Sequence, residues 1–408
     1  MMEEAYIVEA VRSPIGKFLG SLSAIQAPRL GAQVVKGLLS KTGFDAKGID
    51  EVIVGNVLSS GLGQNPAKQV VMYSDMPATI PAYSVNMVCA SSLKAVSLAA
   101  EAISSGNADT VVAGGIESMS NAPFSVQGTR RIHKMGTISF ESFLQAANEA
   151  KADLSSFEFT DEMINAGLWD CYNDLHMGSL AEYLANDYKV TREEEDAFAL
   201  ESHRRAAYAE DNGKFADETI PIETPDGVVT KNEGIRRDTS LEKLSELKPA
   251  FEKDGIVTAG NSSQLSDGAS FVLLMSGKKL KESGLEPLAK VEAYSSSGID
   301  PKTYGMAPVS AVEKITKKTG IKLSDIDLIE LNEAFCVQAL SVVKAMGIDQ
   351  GKLNVNGGAT ALGHPIGATG ARILTTLVHA LKDRKKELGL ATLCHGGGGA
   401  AAMLVRRV

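Results

Sequence analysis

Cysteine is scarce in this chain. Four residues in 408, Cys89, Cys171, Cys336 and Cys394, lie far apart with no C-x-x-C pair. So few scattered thiols form no disulfide framework, and their spacing offers no metal-ligand set. Positive charge is also in deficit: 41 Lys and Arg against 50 Asp and Glu leave a net charge of −9. That balance argues against nucleic acid or an anionic membrane as the main partner, yet leaves room for a local basic patch that takes an anionic small ligand. No apolar run approaches the roughly 18 residues that a membrane-spanning helix needs. The opening segment MMEEAYIVEA carries two acids and lacks the basic and apolar regions of a signal peptide. These absences predict a soluble protein of a reducing compartment, the cytoplasm, with no metal bound. Apolar material, in contrast, is ample: 44% of the residues, enough for two or three sizeable cores, which excludes global disorder.

Strand-like and helix-like segments alternate at both ends. Residues 5–11 form a short apolar run, 27–40 have helical spacing, and 51–57 are apolar and β-branched. An alanine-rich helix is predicted over 93–104, then a buried strand over 110–113 closed by Gly114 and Gly115. This rhythm predicts a parallel sheet with helices on both faces. It returns near the carboxyl terminus, where 326–332 can be laid under 49–56 with one gap, and 391–396 under 110–115. A duplicated α/β domain is the natural reading. The middle, 121–264, is polar, charged and helix-biased. Thr191 followed by Glu194 is a capping-box signature, and the charge run after it reads as a solvated helix face. Pro221, Pro225, Asp226 and Gly227 mark a turn.

Four places concentrate residues that do chemistry. Cys89 sits where an apolar strand meets the alanine-rich helix; unsatisfied backbone N–H groups and the positive end of the helix dipole there favour thiolate, and a buried, inert cysteine is the alternative. His364 lies in NGGATALGHPIGATGAR, 356–372, whose glycines forbid regular helix until about Thr369, present the imidazole rather than burying it and let backbone approach a ligand. Cys394 begins CHGGGG, where successive glycine N–H groups could form an anion nest or merely a turn. Asn332 opens NEAF at the end of a predicted strand, where ligands bind in parallel sheets, or where an Asx turn would sit. A cysteine nucleophile, a histidine, a second cysteine and rows of N–H donors together suit acyl transfer through a cysteine thioester.

The blocks VNMVCAS, GGIESMSNAP, HMGS, TAGNSSQLSDGA, LNEAF, NGGATALGHPIGATGAR and CHGGGG, in this order, resemble the thiolase family over essentially the whole chain, and most closely its acetyl-CoA acetyltransferase branch. The resemblance implies an α/β fold of two duplicated βαβαβαββ halves in a five-layer αβαβα arrangement plus a loop domain. The implied boundaries are 1–120 for the first half, completed by about 265–286, then 121–264 for a loop domain that binds coenzyme A, and 287–408 for the second half. It implies reversible condensation of two acetyl-CoA to acetoacetyl-CoA and CoA, with no cofactor beyond these substrates, by a homodimer or homotetramer. Cys89 would carry the acetyl group and Cys394 would act as acid and base. His364 would activate Cys89 and, with a water held by Asn332, stabilise an enolate. The N–H groups of Cys89 and Gly396 would hold the tetrahedral intermediate. His176, Met177, Ser263 and Phe335 would line the pantetheine channel, with Arg236 near the adenine end.

Three departures from the family pattern stand out: Ser92 where many members carry glycine, His395 beside Cys394 at a site often apolar or amide-bearing, and a longer segment between Gly128 and Asp174. Ser92 is expected to constrain the helix start or narrow the pocket, and His395 to perturb Cys394. Two competing readings remain. One is a longer-chain 3-ketoacyl-CoA thiolase of fatty-acid degradation. The other is a non-catalytic acyl-CoA-binding relative, against which the presence of Cys89, His364 and Cys394 together speaks.

Overall fold

The computed structural model describes residues 3–408; Met1 and Met2, which open the segment read above as no signal peptide, lie outside them. The first half runs β1 (Ala5–Arg12), α1 (Ala27–Thr42), β2 (Glu51–Gly55), α2 (Pro66–Tyr73), β3 (Ala82–Val85), α3 (Ser91–Ser104) and β4 (Thr110–Ser118). The middle segment contributes α4 (Met177–Tyr188) and α5 (Arg192–Asp211). The chain then returns with β5 (Ser266–Ser276), β6 (Ala289–Gly298), α6 (Ala307–Thr319), β7 (Leu328–Leu331), α7 (Cys336–Met346), α8 (Thr369–Asp383), β8 (Leu388–His395) and β9 (Gly399–Arg407).

The duplication is visible in the strand order. In the first half β3, β2 and β4 are parallel neighbours, and β5 lies antiparallel between β4 and β1. In the second half β7 and β8 are parallel, β9 pairs antiparallel with β8, and β6 pairs antiparallel with β9. Leu353 bridges Ile329 in parallel, at the place that β3 occupies in the first half. The two sets meet where β1 touches β6 through Tyr6–Lys290 and Ile7–Ala289.

Strand side chains alternate between faces, so runs apolar on both faces are sandwiched between helices. Val112, Phe271 and Leu273 pack outward on α1 and α2. Val111, Ala113, Val272 and, from the other half, Ala391, Leu393 and Met403 pack inward on α3 and α8. Leu390, Ala402 and Leu404 face α6 and α7. The result is five layers, αβαβα, with α3 and α8 in the middle.

That middle layer needs small residues. The strand predicted to close at Gly114 and Gly115 runs on to Ser118. These glycines are not a turn: a Cβ on Gly115 would collide with the carbonyl of Gly367 and with Ser92, and one on Gly370 would press on the start of α3 at Leu93. They permit close approach of backbone to backbone.

Thr191 caps α5 with both bonds of the capping box: the Glu194 N–H donates to Thr191 Oγ1 at 3.3 Å, and the Thr191 N–H to Glu194 Oε2 at 2.9 Å. The charge run behind it is only partly solvated, contrary to expectation. Glu195 and Asp196 are buried. Asp196 pairs with Arg192 at 2.8 Å and accepts from Asn261 at 3.1 Å, whereas burial pushes Glu195 up to about 9, so it stands as the neutral acid. The predicted turn at 221–227 is the tip of a hairpin, Ile222–Thr224 against Gly227–Val229. Among the described residues no helix is long and apolar enough to cross a membrane.

Candidate active site

Cys89 stands on the sharp connection from β3 to α3. Val88 just before it has φ of +47°, a backbone conformation that β-branched residues rarely adopt. The turn is held by local bonds. The Met87 N–H donates to Ser91 Oγ at 2.9 Å, that hydroxyl donates to Val88 O at 2.6 Å, and the Val88 N–H donates to Asn86 Oδ1 at 3.0 Å. Strain of this kind, pinned on both sides, fixes the direction of the thiol.

The electrostatics of Cys89 run opposite to the sequence-based expectation. Burial pushes its thiol up to about 12, and the nearby carboxyl of Glu117 adds to the rise. Backbone N–H groups of Gly396 and of Cys89 itself pull the other way, but burial wins. The resting group is a thiol, because a helix terminus offsets only part of the cost of removing a charge from water. Cys394, fully buried on β8, is pushed well up by burial and by the proximity of Cys89.

His364 is also buried, not presented to solvent as the glycine-rich loop suggested. Its Nδ1 lies 2.6 Å from Thr369 Oγ1, and that hydroxyl donates to Pro365 O at 2.9 Å. With its proton committed to the carbonyl, Thr369 accepts, so Nδ1 carries the imidazole proton and Nε2 presents a lone pair. Nε2 is buried with no partner among the described residues. Burial, followed by the charge of Arg372, lowers the imidazole to about 3, which keeps it neutral.

Asn332 follows β7 with a fully buried side chain whose two polar atoms have no partner among the described residues. A buried amide in that state is suited to an outside ligand or a water. Glu333 next to it is a clamp: it accepts from Ser202 Oγ at 2.7 Å, from the Thr360 N–H at 3.0 Å and from Asn354 Nδ2 at 2.8 Å.

His364 lines a cleft of about 470 Å³. Met119, Ile164, Leu168 and Ile366 give it an apolar wall, and Cys89 packs against that same cluster. His176, Phe251 and Phe335 form a second wall: Phe251 stacks on His176 with centroids 4.8 Å apart and meets Phe335 edge-on at 5.9 Å. Ser263 lines the cleft and ties to the Phe335 segment, its N–H donating to Ala334 O at 3.1 Å. Lys17 and Arg236, both exposed, stand at the cleft as its two cations. Met177 is buried beside Gly396. The glycine run after Cys394 is a hairpin turn rather than an open nest: His395 pairs with Gly399, and Gly397 and Gly398 take φ of +84° and +80°.

Four contributors escaped the sequence reading. Glu117, on β4, is buried and accepts from Asn56 Nδ2 (2.8 Å) and from the N–H groups of Val57 (3.1 Å), Leu58 (3.1 Å) and Gly367 (2.8 Å). It thereby straps the His364 loop to the first half. Tyr304 is fully buried near Cys394 and Cys89 and donates to Met177 O at 3.3 Å. Phe251 and Thr369 complete the set. Glu117 lies within the GGIES block, where a lone acid in a buried strand was the available signal; Tyr304 and Phe251 had none. Ser92 turns away from the cleft: its Oγ accepts the Ala371 N–H of α8 at 2.9 Å, satisfying a first-turn donor of the neighbouring helix.

Known proteins resemble the chain over its whole length. The thiolase N-terminal domain model matches residues 5–278 and the thiolase C-terminal domain model residues 285–407. The chain is 48% identical over 412 residues to the acetyl-CoA acetyltransferase of Pseudomonas aeruginosa, covering 100% of both chains. It is 46% identical over 411 residues to a probable acetyl-CoA acyltransferase of Staphylococcus aureus, again covering 100% of both. Among solved structures, the acetyl-CoA acetyltransferase of Bacillus anthracis superposes with a TM-score of 0.92 at 39% identity, covering 100% of this chain and 99% of that one. The Acat5 thiolase of Ascaris suum in complex with coenzyme A gives 0.89 at 40% identity, covering 100% of each.

Proposed function

The chain belongs to the thiolase family and is an acyltransferase; on that premise we propose that it joins two acetyl-CoA molecules into acetoacetyl-CoA and CoA, reversibly, through an acetyl group carried on Cys89. The observation that carries the proposal is a thiol, Cys89, packed against the apolar wall of a cleft that His364 lines with a free Nε2, with backbone N–H groups of Cys89 and Gly396 bearing on its sulfur.

In the first half-reaction His364 Nε2 takes the Cys89 proton as the sulfur attacks the thioester carbonyl. The oxyanion lies between the two N–H groups, a placement in which losing one donor typically costs about 10²–10³ in turnover. The CoA thiolate leaves with the proton of Cys394, so acetyl-Cys89, an imidazolium and a Cys394 thiolate remain. In the second half Cys394 removes the α-proton of the next acetyl-CoA. The enolate oxygen accepts from His364 Nε2–H and from a water held by Asn332. The enolate carbon then attacks the acetyl carbonyl, Cys89 sulfur departs and recovers its proton from His364, and both thiols are neutral again. Keeping both thiols and the imidazole neutral at rest, as burial does, means that charge appears only with substrate present.

His176, Phe251 and Phe335 are proposed to flank the pantetheine arm, with Met177 and Ser263 beside it and Lys17 and Arg236 near the phosphates. Thiols and an imidazole handle every bond in this scheme, so the proposal includes no metal or redox cofactor. A cytoplasmic homodimer or homotetramer is proposed on the strength of the family resemblance.

The test is incubation with acetoacetyl-CoA, with and without CoA, following loss of the enolate absorbance and the mass of the Cys89 peptide. CoA-dependent loss with an acetylated peptide, both abolished in Cys89→Ala, is the expected result. Silence with every chain length overturns the proposal. Turnover of longer 3-ketoacyl-CoA alone would favour the second reading, to which the apolar wall of Met119, Ile164, Leu168 and Ile366 lends support.

A further inference from the structure

His395 follows Cys394 on β8, and its side chain does not bear on that thiol: Cys394 is raised by burial and by Cys89. Its Nδ1 instead lies 2.6 Å from the carbonyl oxygen of Gly396, the next residue. A carbonyl only accepts, so Nδ1 carries the proton and donates. Burial lowers the imidazole, and its Nε2 is buried without a partner among the described residues, so the ring is neutral with a single N–H, and that N–H is spent on Gly396. The ring lies over Gly399, where a Cβ would collide with Nε2 and Cε1.

The contact matters because of what Gly396 does. This glycine packs beside Val88, the residue before Cys89, where a Cβ would lie 3.6 Å from Val88 Cγ1, and its N–H bears on the Cys89 sulfur. Gly396 has no side chain to restrict its φ and ψ, and the two residues after it are in the left-handed region. From the far side the turn is held where the Ile299 N–H donates to Gly398 O at 2.6 Å. Nothing in that bond orients the Gly396 carbonyl, whereas the His395 imidazole does.

We propose that His395 is a positioning residue: through its Nδ1–H to the Gly396 carbonyl it locks the glycine turn so that the Gly396 N–H stays on the Cys89 sulfur and on the oxyanion formed there. The oxyanion part of this rests on the functional reading given above; the sulfur part does not. His395 touches neither substrate nor the reacting atoms.

The test compares wild type, His395→Leu and His395→Asn. Asparagine sets an N–H close to the position of imidazole Nδ1, and leucine sets none. Misplacing a catalytic donor by a fraction of an ångström is expected to lower kcat for acetoacetyl-CoA thiolysis about tenfold in His395→Leu, with KM unchanged and the asparagine variant restored to within about twofold of wild type. Alkylation of Cys89 by iodoacetamide at pH 8.5, read by peptide mass, should slow severalfold in the leucine variant and recover in the asparagine one, since one donor to the sulfur is loosened. Equal kcat and equal alkylation in wild type and His395→Leu overturn the inference. So does an asparagine variant as slow as the leucine one, or a loss confined to KM. Alkylation needs no turnover. A wild-type protein inactive on every acyl-CoA therefore refutes the functional reading, while the alkylation rates still decide the role of His395.

Discussion

Replacing Thr369 by valine isolates the bond that sets the state of His364. The change removes two hydrogen bonds in series, from His364 Nδ1 to Thr369 Oγ1 at 2.6 Å and from that hydroxyl to Pro365 O at 2.9 Å, and keeps the side-chain volume nearly constant. The imidazole is buried and its Nδ1–H then has no acceptor. Leaving a buried donor unpaired costs about 1–3 kcal/mol. The ring can avoid that cost by moving its proton to Nε2, but Nε2 then no longer has a lone pair for the Cys89 proton. Either way the competent imidazole is disfavoured by about 1–3 kcal/mol, which at about 1.4 kcal/mol per tenfold is a fall of roughly 5- to 150-fold in kcat/KM. Acetoacetyl-CoA thiolysis measures it, beside urea unfolding as a control for folding. Thr369→Ser keeps the hydroxyl and should stay within about threefold of wild type. A fully folded Thr369→Val enzyme with kcat/KM within twofold of wild type would refute the reasoning, for the proton would then not be held where the geometry assigns it.

Three further outcomes follow from other residues. With Cys89 pushed up to about 12, the alkylation rate of the free enzyme by iodoacetamide should climb throughout pH 7–10; a plateau below pH 8 would mean a resting thiolate. Glu117 is raised by burial from 4.5 to about 7, so the folded protein holds its proton more tightly than the unfolded chain does. Stability should therefore fall as pH rises from about 4.5 to 7, by on the order of 3 kcal/mol from this group, and Glu117→Gln should remove that slope in urea titrations at pH 5, 6 and 7. Ser92→Ala leaves the Ala371 N–H unpaired and should cost about 1 kcal/mol in urea unfolding with kcat within twofold of wild type; a large loss of kcat instead would show that Ser92 shapes the cleft after all.

Much of this molecule is legible in its sequence, for identifiable reasons. Local chemistry reads well in part: Thr191 and Glu194 are three apart, as a capping box demands, and α8 begins at Thr369 as expected, although a single helical turn, Ala359–Leu362, already forms among the glycines before it. The repeated halves read well because a strand buried on both faces must be a continuous apolar run wherever it occurs. What failed depended on contacts between distant segments. Nothing near His364 announces that its loop folds under the Glu117 carboxylate, 247 positions away in sequence, and so buries the ring. Cys89 keeps the helix terminus foreseen for it, but the low-polarity cluster of Val57, Leu58, Met119, Met163 and Ile366 outweighs that terminus. Glu195 and Asp196 belong to a charge run that looks solvated until Asn261 and α7 cover it. Phe251 and Tyr304 are single aromatics in unremarked stretches, placed by tertiary packing alone.

The bond from Ala371 to Ser92 joins the first turns of α3 and α8. These helices hold corresponding positions in the two halves, each following the third strand position of its sheet, and each is entered directly from the segment that bears Cys89 or His364. Each such helix start carries the equivalent of about half a positive charge, and the duplication joins two of them through a single hydrogen bond between the halves. A single half would carry one such end and one of the two groups, Cys89 or His364. The doubling of the fold thus supplies more than a second copy of a sheet: neither half alone holds both side chains.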